Sequence, residues 1–177
     1  MFVHLKDRAL LKISGSDAEA FLQGQLSNDI NKLDACSVQL NAYCQHQGKI
    51  LALFWVLRHE DSFFLSFPSD LLEVIKTRLQ MFIIISDVVI EDITKEYIQV
   101  GSIDETHQEA LVINEKLSLI IAEKKDINKF NMELIDLWDK VCIDYLLPEI
   151  YSITSEKLVP QMLNLDINEF GVNFSKG

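Results

Sequence analysis

A chain of 177 residues that is 49% apolar and 24% charged, with six glycines and three prolines, can bury a sizeable core, and its composition excludes a disordered or fibrous protein. Its formal net charge of −11 opposes the phosphate backbone of a nucleic acid, so direct nucleic-acid binding is not expected, although a local basic pocket for a small anion is compatible with it. The longest apolar run, Ile50 to Leu57, is fenced by Lys49 and Arg58 and is too short to span a membrane; with no basic, apolar leader at the start, a cytoplasmic protein without a membrane partner is expected.

Residues 2–5 and 9–13 read as short strands. Gly15-Ser16 then turns into a helix, with Ser16 and Glu19 spaced as a capping box and Phe21, Leu22 and Leu26 on its buried face. Gly24 interrupts that helix, which predicts close backbone approach by a neighbouring strand or by a ligand. Residues 38–44 and 49–58 read as two strands joined by Gln45-His46-Gln47-Gly48, with Gly48 suited to a positive φ, and Phe63 to Phe67 as a third. Ser69 is placed to cap a second helix, in which Leu72, Ile75, Leu79 and Phe82 recur at helical spacing. Further strands are expected at 84–91, 96–103, 110–114 and 117–122.

A long helix is expected over 131–145, with Leu134, Trp138, Val141 and Tyr145 on one stripe, ended by the Leu147-Pro148 step. Residues 158–167 read as a short helix starting near Pro160. From Glu169 onward polar and apolar residues alternate, so Phe170, Val172 and Phe174 are expected on one side of an extended segment. Strands and helices interleave without regular βαβ spacing, which predicts an α+β fold of mostly antiparallel sheets with packed helices.

Few residues carry a recognisable chemical pattern. Cys36, Cys44 and Cys142 form no CxxC pair, and His4, His46, His59 and His107 show no HxxxH spacing, which argues against a zinc site and a disulfide framework. Phosphate-binding glycine loops, GxSxG elbows and HExxH are absent. One cluster stands out: QGQLSND, residues 23–29, gathers Gln23, Gln25, Ser27, Asn28 and Asp29 around the end of the first helix. Taken alone it leaves two readings open. The amides and carboxylate could converge on a heterocycle rich in hydrogen-bond donors, or Asn28 and Asp29 could simply end the helix and bond the next turn.

Four segments, in order, add to this: SGSDAEAFLQGQLSNDI (14–30), NAYCQHQGKILALF (41–54), LPEIYSITSEKLVPQMLNLD (147–166) and GVNFSKG (171–177). Together they resemble the YgfZ-type folate-binding proteins, relatives of the aminomethyltransferase (T-protein) of the glycine cleavage system; residues 92–130 are the least diagnostic. The resemblance implies a T-protein-like fold around a central channel for tetrahydrofolate or a derivative. Residues 1–177 would form its N-terminal folate-binding region, as one body or as two interleaved modules with about 38–125 the inner one, without the C-terminal β-barrel domain. It also implies folate contacts from Gln25, Asn28, Asp29, Gln161 and Lys176, with Asn28 and Asp29 facing the pterin.

By the same resemblance the chain is expected to be a folate-binding accessory protein that supports iron–sulfur cluster enzymes, and indirectly tRNA modification, with iron–sulfur proteins or their assembly machinery as partners. The family's hallmark cysteine follows a KG step in KGCYxGQE, so Lys176-Gly177 reads as an interruption one residue before it. Where T-proteins carry an acidic pair after the hairpin glycine, this chain has Ala52-Leu53. Neither side chain can assist one-carbon transfer as a base. The helix before Pro148 has Cys142 and Leu146 where the family has Arg and Gly. A folate-dependent aminomethyltransferase or demethylase would need a carboxylate from elsewhere, Asp87 or Asp92, and a scaffold acting only through protein partners is the remaining alternative.

Overall fold

The computed structural model describes residues 1–105, 107–130, 132–133, 135–167 and 170–176. Among them the strands form two five-stranded sheets. In the first, β3 (Gln39–Cys44), β4 (Ile50–His59), β5 (Ser62–Pro68), β2 (Arg8–Ser14) and β6 (Val89–Asp92) lie side by side in that order, all antiparallel. In the second the order is β10 (Met132–Glu133), β1 (Phe2–His4), β7 (Tyr97–Ile103), β9 (Leu117–Glu123) and β8 (Leu111–Val112), antiparallel except for the β1–β10 pair. Three α-helices accompany them: α1 (Ala18–Gln25), α2 (Leu72–Gln80) and α3 (Ile135–Asp144). The fold is α+β with mostly antiparallel sheets.

The uninterrupted apolar run of β4 explains the layering. Successive strand residues face opposite sides, so a strand with every residue from Ile50 to Leu57 buried needs cover on both faces. All seven residues of β5 are buried as well. The core that results joins both strands to Leu22 of α1, Ile75 and Leu79 of α2, Leu119 of β9 and Trp138 of α3. Gly101 of β7 seats Trp138: a Cβ there would stand 2.3 Å from the indole ring. That contact fixes α3 against the second sheet.

Several local expectations are corrected. Ser16 and Glu19 form no capping box; α1 starts after Asp17 without a side-chain cap. Ser16 donates from its backbone N–H (3.1 Å) and hydroxyl (3.0 Å) to the Asp87 carboxylate, Asp17 accepts the Asp87 N–H at 2.8 Å, and Glu19 pairs with Arg58 at 2.9 Å. Gly15, at φ +111°, presses so closely on the Asp87 carbonyl that a Cβ would lie 2.1 Å from it. The local capping signal therefore loses to a tertiary strap. Gly24 has open space around it, with nothing within 4 Å of the point where a Cβ would stand, so no strand explains it.

Ser69 opens a 3-10 turn, Ser69–Leu71, and gives α2 no side-chain cap; α2 buries Ile75 and Leu79 in line with Leu71 of the turn, with Phe82 exposed. Residues 84–88 form no strand, and Ile84 and Ile85 lie bare at 83% and 95% exposure. The last helix starts at Ile135 rather than 131, and Asn131 and Leu134 of the expected stripe lie outside the described residues. Pro160–Leu163 is a 3-10 turn with proline in its first turn. Gly48 has φ +81° as expected. At the C-terminal end Gly171 and Asn173 are buried, whereas Phe170 and Phe174 are exposed, the opposite phase to the sequence pattern. Asn168, Glu169 and Gly177 lie outside the described residues.

Two glycines should respond oppositely to the same change. Gly24→Ala is expected to stabilise the chain by up to about 1 kcal/mol, because a helix-interior glycine is relieved at no steric cost. Gly101→Ala is expected to destabilise it by about 1–3 kcal/mol through collision with Trp138. Urea midpoints with unchanged m-values would check both.

Candidate functional site

The QGQLSND segment folds into a knot where α1 ends. The Ser27 hydroxyl accepts from Ala42 N–H at 2.7 Å and donates to Gly171 O at 2.5 Å, and Asn173 N–H returns to Ser27 O at 3.0 Å. Asn28 is buried; its amide donates to Leu40 O (3.1 Å) and Phe170 O (3.4 Å), and its oxygen accepts the Asp29 N–H (2.9 Å). Asp29 accepts from Gln23 Nε2 (3.1 Å) and from Asn31 through backbone (3.2 Å) and side chain (3.1 Å).

Lys176 closes the knot from above. Its ammonium donates to the carbonyls of Gln23 (2.6 Å), Leu26 and Asn28 (3.2 Å), an arrangement that neutralises the negative end of the α1 dipole. Burial draws this ammonium below its ordinary range, and the Asp29 charge works in the other direction. The structure thus brings Asn28, Asp29 and Lys176 together. Gln25, half-buried at the end of α1, and Gln161, exposed on the Pro160–Leu163 turn, take no part in these bonds. A hollow of about 360 Å³ adjoins the knot, lined among others by Asn28, Gln39, Trp55 and Phe170.

A second cleft, of about 430 Å³, opens between α3 and the start of β2, with Arg8, Trp138, Cys142, Glu149 and Tyr151 in its walls. Its charges are held tightly. Arg8 Nη1 donates to Glu149 Oε1, with the two side chains only 10% and 22% exposed. The Trp55 indole N–H donates to the same oxygen at 3.3 Å. Glu149 Oε2 is buried and accepts no hydrogen bond from any described residue. An orphaned carboxylate oxygen inside a half-apolar cleft is a place where a ligand with N–H donors gains what the protein does not supply.

Asp7 and Asp139 also line that cleft, and two of its groups are held neutral. Burial, reinforced by the Glu149 charge, pushes the Cys142 thiol up to about 12, and Tyr151 is raised by the same two causes. Cys142 is therefore held as a neutral thiol and not as a nucleophile. A third hollow, about 720 Å³ between the sheets, is rimmed by carboxylates such as Glu60, Glu91 and Glu96 and contains none of the expected folate-contact residues.

No family model matches the chain. It is 30% identical over 182 residues to an uncharacterized protein of Haemophilus influenzae, covering 99% of this chain and 64% of that one. It is 25% identical over 203 residues to the tRNA-modifying protein YgfZ of Photobacterium profundum, covering 99% and 61%. The solved structure of the glycine cleavage system aminomethyltransferase T from Bartonella henselae superposes with a TM-score of 0.51 at 15% identity, over 56% of this chain and 27% of that one. The chain is thus similar to YgfZ along nearly its whole length and shares the T-protein fold over about half of it. It spans about three fifths of the length of the curated relatives it matches.

Ala52 and Leu53, where the sequence resemblance leads one to expect an acidic pair, are fully buried in β4 and part of the core. Asp87 belongs to the strap with Ser16, and Asp92 accepts the Thr94 N–H; neither lines the Arg8–Glu149 cleft.

Two outcomes are expected. Lys176→Met should cost about 1 kcal/mol and speed amide exchange at the end of α1, as loss of a helix C-terminal cation does. Ellman titration at pH 8 should label exposed Cys36 first and leave Cys142 until last, behind Cys44, whose thiol burial pushes up to about 11.

Proposed function

We propose that this chain binds a folate by its pterin head in the Arg8–Glu149 cleft, and acts as a cytoplasmic accessory protein that supports iron–sulfur enzymes and, through them, tRNA modification. The observation that carries the folate reading is the orphaned Glu149 oxygen. Arg8 and Trp55 hold Glu149 Oε1, so the carboxylate cannot turn away, and Oε2 is left to accept an N–H from a planar heterocycle. Trp138, Leu147 and Tyr151 offer the flat apolar surface on which such a ring rests. The sequence resemblance to YgfZ-type folate-binding proteins and the T-protein fold support the same ligand class.

In this reading the residues act by holding rather than by reacting. Asn28, Asp29 and Lys176 fix the backbone beside the smaller hollow at Trp55, while Gln25 and Gln161 line neither that hollow nor the Arg8–Glu149 cleft. Ala52 and Leu53, buried and apolar, favour an accessory role over aminomethyl transfer. The iron–sulfur and tRNA links rest on the family resemblance and on the relatives' name.

Calorimetric titration with tetrahydrofolate under anaerobic conditions is the test. Saturable binding is expected, and Glu149→Gln should weaken it at least tenfold, since a hydrogen bond to a charged acceptor is replaced. Absence of heat from the native chain at high micromolar ligand would sink the folate reading.

A further inference from the structure

A buried guanidinium needs more than one acceptor to stay in a low-dielectric interior. Arg8 finds its remaining ones on β5. Its Nε donates to the Ser66 hydroxyl at 2.8 Å and its Nη2 to the Ser66 carbonyl at 3.1 Å. The Ser66 hydroxyl, having accepted from Arg8, donates its own hydrogen to Oε1 of Gln99. Gln99 Nε2 then donates to Ala9 O at 3.1 Å and to Arg8 O at 3.3 Å.

The direction of every link is fixed by chemistry. Arg8 can only donate and backbone carbonyls can only accept, so the Gln99 amide has one orientation and the Ser66 hydroxyl one rotor. Ser66 is 0% and Gln99 4% exposed, so neither can exchange a lost partner for water. The chain of bonds also crosses the fold: Ser66 lies on β5 of the first sheet, Gln99 on β7 of the second. Gln99 grips the Arg8 backbone while Ser66 grips its side chain. Neither residue lines the cleft.

We infer that Ser66 and Gln99 are positioning residues for the ligand cleft: they set the angle at which Arg8 presents Glu149, and so key the cleft to the docking of the two sheets. This rests on the folate reading of the cleft. Because neither side chain can touch the ligand, any effect they have on binding passes through the Arg8–Glu149 pair.

The test is a double-mutant cycle on tetrahydrofolate affinity, using Ser66→Ala and Glu149→Gln in the full chain. Ser66→Ala alone is expected to weaken binding about fivefold, the worth of one net hydrogen bond. In the Glu149→Gln background the same change should alter affinity less than twofold. Gln99→Met, close in shape to glutamine, is read in the same cycle with the same expectation and stands in for Ser66→Ala if that protein is less than fully folded by circular dichroism at the assay temperature. Equal losses in both backgrounds, or unchanged affinity in folded Ser66→Ala or Gln99→Met, overturn this inference and leave the folate reading standing. A native chain that does not bind tetrahydrofolate overturns both.

Discussion

A buried arginine organises one end of this molecule. Arg8 opens β2, the strand between β5 and β6, and its guanidinium points into the interior at 10% exposure. An unpaired charge there would cost several kcal/mol. The carboxylate that answers it, Glu149, arrives from a distant stretch of chain, directly after the Pro148 that follows α3. For Glu149 to reach Arg8, α3 must lie against the second sheet, and Gly101 permits that by leaving room for Trp138. The ion pair, the seat of α3 and the cleft between them are thus one constraint seen from three sides.

The opposite end of the first sheet follows a different rule. There the chain leaves α1 with carbonyls unsatisfied, and Lys176 is drawn across to meet them. Ser27 and Asn28 simultaneously hold Gly171, Asn173 and Phe170 by backbone-directed bonds. The segments around positions 27 and 172 are therefore folded as one unit although 144 positions separate Ser27 from Gly171. Their joint presence in the sequence resemblance has a physical basis of this kind: each supplies the hydrogen-bond partners of the other.

Much of the fold was legible because its signals are local. The eight-residue apolar run of β4 and the glycine turn before it gave a strand pair, and alternation and length gave most of the remaining strands. What failed was decided at long range. Ser16 and Glu19 have the spacing of a capping box, yet Ser16 bonds Asp87 and Glu19 pairs with Arg58 instead. The run Ile83 to Ile85 has strong strand propensity, but Gly15 and Asp87 tie the chain immediately after it, and pairing with β2 begins only at Val89. QGQLSND was visible as a polar cluster, but the bonds of Ser27 and Asn28 to Ala42, Leu40, Gly171 and Phe170 reach partners that no local turn signal names. Arg8 and Glu149 carried no spacing signal, being 141 positions apart; only the fold brings them together.

The chemistry of the Arg8–Glu149 cleft sets the protonation state of the groups around it. General-base and nucleophilic catalysis both need a group whose proton is exchangeable near neutral pH. Here the thiol of Cys142 is held protonated by burial and by the Glu149 charge, and Tyr151 is pushed further from ionisation by the same causes. Glu149 itself is engaged with Arg8 and Trp55, an arrangement that fixes a carboxylate as an acceptor. The strand position where an acidic pair would stand is filled by Ala52 and Leu53, whose burial leaves no room for a charge. Cys142 and Tyr151 are thus held in the form that packs, while Asp7 and Asp139 stand in the same cleft wall as further carboxylates.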